Sequence, residues 1–131
     1  MKFNNVFVVD DDKIFHFIVK KLFLSNNISI TPTFYENGLE ALNKIKENLN
    51  SADKLPDLIL LDINMPVLDG WQFLEEYKEL KEKLPQDILI YIVSSSDNPY
   101  DRSKAKDFNE EIKDYWLKPL SGELLKTLFA S

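Results

Sequence analysis

Cysteine is absent from this chain of 131 residues. Disulfides, thiolate metal sites and cysteine nucleophilic chemistry are therefore excluded. Glycine and proline are scarce, at three and six residues, too few for a fibrous or low-complexity chain. Positive charge is in deficit, and the formal net charge is −6. An acidic surface is a poor match for a phosphate backbone, so direct nucleic-acid binding is not expected. No apolar run approaches membrane-spanning length. Residues 1–5 lead straight into a strand-like run without the small-residue cleavage site of a signal peptide. These absences lead to the expectation of a cytoplasmic protein without membrane insertion. The 44% apolar content suits one globular domain with a real core, expected over residues 1–131.

What the sequence does have is alternation. Residues 6–9 are a compact apolar strand signal ending at Asp10. Residues 13–24 carry Ile14, Ile18 and Leu22 at helical spacing and predict a helix. Residues 28–35 are rich in strand formers but contain Pro32. Proline removes a ladder donor, which puts that strand at or near an edge. A turn at residues 36–38 leads into a helix running to residue 48 with Leu39, Leu42 and Ile45. Residues 57–61 are a third strand, ending at Asp62. A turn-rich loop at 64–70 precedes a helix to residue 84, with Phe73, Leu74, Tyr77 and Leu80 on one side. Residues 88–93 form a strand ending at Ser94. Asp97, Asn98 and Pro99 mark the start of a weaker helix to residue 108. Residues 112–117 are a fifth strand, ending at Lys118 and Pro119, and a last helix over 121–129 carries Leu124, Leu125 and Leu128. Such strict strand-then-helix alternation predicts an α/β fold with a five-stranded parallel sheet. Continuous apolar runs fit strands covered by helices on both faces.

Four of the five strands end in polar groups: Asp10-Asp11-Asp12, Asp62, Ser94 and Lys118. In an open parallel α/β sheet, ligands bind outside the carboxyl ends of the strands, near the switch point in strand order. These groups should therefore converge on one crevice. Clustered carboxylates cannot all stay ionised without a counter-charge, and Mg²⁺, bound through oxygen, is the natural one. Lys118 adds a point positive charge and Ser94 a hydroxyl donor. The set suits a transferring phosphoryl group, and a carboxylate can itself be the acceptor.

Val8-Val9-Asp10-Asp11-Asp12, Leu60-Leu61-Asp62-Ile63-Asn64-Met65-Pro66-Val67-Leu68-Asp69-Gly70, Ile92-Val93-Ser94-Ser95 and Tyr115-Trp116-Leu117-Lys118-Pro119 together resemble the receiver domains of two-component response regulators, of the stand-alone, chemotaxis-regulator-like kind. The likeness runs in order along essentially the whole chain. It implies a flavodoxin-like, doubly wound (βα)5 fold with strand order 2-1-3-4-5. It implies that Asp62 is the phospho-acceptor. The implied Mg²⁺ ligands are Asp10, Asp11, Asp62 and the backbone carbonyl of Asn64, with Asp11 the more direct of the acidic pair. Ser94 would bond a phosphate oxygen and move on phosphorylation, Lys118 would pair with another, and Tyr115 would be the aromatic switch. The Lys118-Pro119 peptide would be cis. The donor would be a sensor histidine kinase or a histidine phosphotransfer protein. The output would be a change in the face made by the fourth helix, fifth strand and fifth helix, read by a downstream target protein that the sequence does not identify.

Simpler roles stand beside these. Asp12 fits a plain helix N-cap, and Asp69-Gly70 reads as turn chemistry. Tyr115 next to Trp116 could be packing alone. His16, the only histidine, lies on a polar stripe with Lys13 and Lys20 and reads as an exposed helix residue. A contact with the phosphodonor is its secondary reading. A Mg²⁺-dependent aspartyl-phosphate phosphatase would need a substrate cap, for which there is no insertion. A flavodoxin-type flavin carrier would need a hydroxyl- and glycine-rich loop where three aspartates stand. A degenerate receiver acting as a scaffold would lack the acceptor or the lysine. The expected protein is thus a signalling domain rather than an enzyme.

Overall fold

The computed structural model describes residues 3–130. The outer ends of the expected domain, residues 1, 2 and 131, lie outside the described residues. The strands are β1 (Val6–Val9), β2 (Thr33–Tyr35), β3 (Leu58–Leu61), β4 (Leu89–Ser94) and β5 (Asp114–Leu117). The helices are α1 (Lys13–Ser25), α2 (Gly38–Glu47), α3 (Gly70–Leu80), α4 (Pro99–Lys106) and α5 (Gly122–Phe129). All strand pairs are parallel, in the order β2-β1-β3-β4-β5. The expected order 2-1-3-4-5 therefore holds. β2 is an edge strand, as Pro32 required, though it is shorter than residues 28–35 suggested.

Side chains alternate across each strand, and the sheet splits the core into two layers. Phe7, Val9, Ile59, Leu61, Ile90 and Ile92 face α2 and α3. Val6, Val8, Leu58, Leu60, Tyr91 and Val93 face α1 and α5. β1 and β3 are buried on both faces, which is why they read as unbroken apolar runs.

Each helix begins at a short polar side chain that accepts a backbone N–H of the first turn. These caps are Asp12, Asn37, Asp69, Asn98 and Ser121, and each satisfies a donor that the helix itself cannot. Asp69 forms a full capping box with Gln72, and Pro99 supplies the preset φ of a first helical residue. The caps matter for the site because they fix where each helix leaves the carboxyl edge of the sheet.

The face of α1 differs from expectation. Phe15, Val19 and Phe23 are the buried residues, while Ile14 is 70% and Phe17 60% exposed, and Ile18 is also exposed. The two apolar stripes lie one residue apart, and the bulkier aromatic one fills the layer against α5. Leu39 and Leu124 likewise face outward. α3 ends at Leu80 rather than 84, because a 3-10 turn at Lys81–Lys83 follows. α4 buries little, as its sparse apolar residues suggested: its one buried residue is Asp101.

Candidate functional site

Asp10 follows β1 at the point where the chain leaves the sheet between β2 and β3. It is 1% exposed, and its main and side chains are bonded on every side. Its N–H donates to the Tyr35 carbonyl at 2.9 Å. Its Oδ1 accepts the Asp12 N–H at 2.9 Å, and its Oδ2 accepts the Lys118 ammonium at 2.8 Å. Its carbonyl oxygen lies 2.6 Å from Nε2 of His16. Asp11, next in the chain, is exposed. Asp12 caps α1 through the Ile14 N–H, the plain role expected of it.

Asp62 ends the neighbouring central strand. Its N–H donates to the Val9 carbonyl at 2.9 Å, so the last bond of the β1–β3 ladder holds it in place. Its Oδ1 accepts the Ile63 N–H at 2.9 Å. The carboxyl pKa is pushed up from 3.8 to about 6. Burial is the main cause and the Asp10 carboxylate adds to it, while Lys118 and the backbone N–H groups of Ile63 and Asn64 pull the other way. Asn64 lies on the exposed loop that follows. Gly70, opening α3, packs directly on this strand end: a Cβ there would sit 2.5 Å from the Asp62 carbonyl oxygen and 2.7 Å from Ile63 Cα. Only glycine lets α3 start so close to the carboxylate. The Asp69-Gly70 pair therefore does more than turn the chain.

The structure brings Asp10, Asp11 and Asp62 together, with one carboxylate oxygen from each within 4.8 Å of the others. Lys118 reaches the cluster from the end of β5, after which the Lys118-Pro119 peptide is cis. Its ammonium pairs with Asp10 and lies 4.4 Å from the centre of the Phe15 ring. Three hard oxygen donors in a tight group, with Asp62 held well above the ordinary carboxylate range, are short of positive charge. That donor set fits a divalent cation bound through oxygen.

Ser94 is fully buried at the end of β4. Its carbonyl accepts the Lys118 N–H at 2.8 Å, and its Oγ accepts the Ser96 N–H at 3.1 Å. Ser96 links further groups: its carbonyl accepts the Tyr115 hydroxyl at 2.7 Å, and its own hydroxyl donates to Asp101. Asp101 is 7% exposed and also accepts Trp71 Nε1–H at 3.2 Å. Tyr115 points inward, and burial raises the pKa of its hydroxyl above the ordinary value.

A polar chain thus runs from the Ser94 hydroxyl through Ser96 to α4, to β5 and to the start of α3. Sequence reasoning missed Ser96, Asp101 and Trp71 as members of it. The available signal was an acid inside a helix with few apolar residues, which has to be anchored by something polar. His16 also departs from expectation. It is half-buried, bonded to the Asp10 carbonyl, and its ring lies 4.7 Å from that of Phe34.

Comparison with known proteins agrees with this geometry. The family model described as the response regulator receiver domain matches residues 6–130. The chain is 32% identical over 123 residues to the sensor histidine kinase CheAY of Helicobacter pylori, an alignment that covers 94% of this chain and 14% of that protein. The chain spans well under two thirds of the first curated relatives it matches. Among solved structures, a two-component response regulator from Cytophaga hutchinsonii superposes with a TM-score of 0.82 at 28% identity, covering 97% of this chain and 94% of that one. The receiver domain of sensor histidine kinase PA1611 from Pseudomonas aeruginosa, solved with magnesium coordinated in its active-site cleft, shares the fold with a TM-score of 0.73 at 19% identity, covering 95% and 93% of the two chains.

Proposed function

This chain belongs to the response regulator receiver family, a family of phosphorelay signalling domains, and from that premise we propose that Asp62 accepts the phosphoryl group, with Mg²⁺ held by Asp10, Asp11, Asp62 and the Asn64 carbonyl. The observation that carries this reading is the meeting of three carboxylates and one ammonium at the carboxyl edge of β1, β3 and β5. A bound Mg²⁺ supplies positive charge to the carboxylates and to the outer phosphoryl oxygens.

The donor is the phosphohistidine of a sensor kinase or of a phosphotransfer protein. An Asp62 carboxylate oxygen attacks the phosphorus, the O–P bond forms and the P–N bond breaks. The departing electron pair stays on the imidazole nitrogen, which takes up a proton. The ladder bond from Asp62 to Val9 and the close packing of Gly70 hold the nucleophile still, so little geometry has to be found during the step. Lys118, now shared with Asp10, turns to a phosphoryl oxygen, and the Ser94 hydroxyl donates to another. Drawing the Ser94 hydroxyl away breaks its bond to Ser96. Through Ser96 this disturbs Asp101 and Tyr115, and the α4-β5-α5 face changes for a downstream target. The exposed Ile14, Phe17 and Ile18 of α1, beside the crevice, offer the phosphodonor an apolar landing face. In this reading the domain promotes only its own phosphorylation and dephosphorylation, acts in the cytoplasm as a single domain over 1–131, and is not an enzyme for external substrates.

The test is an NMR comparison of the protein with acetyl phosphate and Mg²⁺, and with acetyl phosphate and EDTA. Shifts at Ser94, Ser96, Asp101 and Tyr115 are expected with Mg²⁺ alone among the two. A response confined to the crevice would contradict the switch, and equal responses in the two arms would contradict the metal.

A further inference from the structure

We infer that His16 is a positioning residue of the acidic crevice: its ring N–H fixes the peptide between Asp10 and Asp11, and through that peptide the aim of the Asp11 carboxylate. The inference rests on the reading of the crevice as a divalent-cation site.

A carbonyl oxygen can only accept, so at 2.6 Å Nε2 of His16 must carry the hydrogen. The ring cannot easily swing away. It lies tilted at 33° against Phe34, 4.7 Å between centres, and Phe34 is held in β2 by pairing with Val8. The Asp10 N–H is already tied to the Tyr35 carbonyl of the same edge strand. The main chain of Asp10 is thus gripped at its N–H by β2 and at its carbonyl by α1.

Asp11 has no such help. It is exposed, and no hydrogen bond to its carboxylate occurs among the described residues. Asp10 and Asp62 each accept backbone N–H groups that orient them. The direction of the Asp11 side chain is set only by its own backbone, and its N–H belongs to the same peptide plane as the carbonyl that His16 holds. Fixing that plane removes orientational freedom from the one carboxylate ligand that is otherwise loose. Part of the ordering that cation binding demands is then already in place.

The experiment titrates Mg²⁺ alone into the wild type, His16→Phe and His16→Gln, following amide NMR shifts of residues 11 and 62, with thermal unfolding of each metal-free protein in parallel. Phenylalanine keeps an aromatic face against Phe34 and removes the donor. Glutamine keeps a donor at similar reach. His16→Phe should bind Mg²⁺ roughly three- to tenfold more weakly, the cost of ordering one side chain that the wild type already holds before the cation arrives. His16→Gln should recover to within about twofold of the wild type, because its amide restores the bond. Equal affinity of His16→Phe and wild type would overturn the inference. So would equal loss in both variants, or a loss that follows the unfolding temperature instead of the donor. Absence of Mg²⁺ binding by the wild type would overturn the cation reading itself, and the positioning role with it.

Discussion

Replacing Asp62 by asparagine should stabilise the metal-free protein, although it removes the proposed acceptor. Asparagine keeps the shape and retains an oxygen for the Ile63 N–H. It removes a negative charge that the fold raises in energy: the carboxyl pKa stands at about 6 against an ordinary 3.8. A folded pKa above the unfolded one means that the native state binds the proton more tightly. Stability from this group is therefore full below about pH 4 and is lost as pH rises through 6. The gap corresponds to an upper bound of about 3 kcal/mol at pH 7.5 and about 1 kcal/mol at pH 4.5. Water access at the crevice mouth brings the expected gain of Asp62→Asn down to about 1–2 kcal/mol at neutral pH. Urea unfolding with EDTA at both pH values measures it. Mg²⁺ should narrow the difference, because it binds the native wild type and has one carboxylate fewer to hold it in the variant. An Asp62→Asn protein no more stable than wild type at pH 7.5, or a gain that does not shrink at pH 4.5, would refute the reasoning.

Lys118→Ala leaves the Asp10 carboxylate buried without its ammonium partner 2.8 Å away, and should cost about 2–4 kcal/mol in metal-free urea unfolding, with Mg²⁺ returning part of it. The same variant should still accept some phosphoryl group from acetyl phosphate, while the Tyr115 NMR signals no longer respond. Gly70→Ala should destabilise by about 1–3 kcal/mol and slow phosphorylation, because the new methyl meets backbone atoms of Asp62 and Ile63, and neither can rotate away; urea unfolding and a mass-based rate check both. Asp101→Ala strips the acceptor from Trp71 and Ser96 and should cost about 2–3 kcal/mol. Hydrogen exchange should show α4 opening first.

The strands and their ends were legible because they are short apolar runs with an abrupt polar stop, and a parallel sheet puts every such stop on one edge. Asp10, Asp62, Ser94 and Lys118 follow from that rule before any family likeness is considered. The buried face of α1 was not legible. Ile14, Ile18 and Leu22 compete with Phe15, Val19 and Phe23, and spacing alone cannot choose between stripes one residue apart. The role of His16 was hidden for another reason. Its place on a polar stripe is correct, but its bond depends on how the chain turns from β1 into α1. The Trp71–Asp101 contact joins residues thirty apart, and Lys118 and Asp10 are separated by 108. The strand-end rule brings Lys118 to Asp10 across that distance, but Trp71 and Asp101 lie off the strand ends and have no periodicity to read.

The claim that Asp62 is the acceptor is tested most directly by intact-mass and peptide mass spectrometry after acetyl phosphate and Mg²⁺, on the wild type and Asp62→Asn side by side. The account predicts a single added phosphoryl group in the wild type, mapped to Asp62 and absent from the variant. A phosphoryl group on another residue, or gained by Asp62→Asn at the wild-type rate, would contradict it.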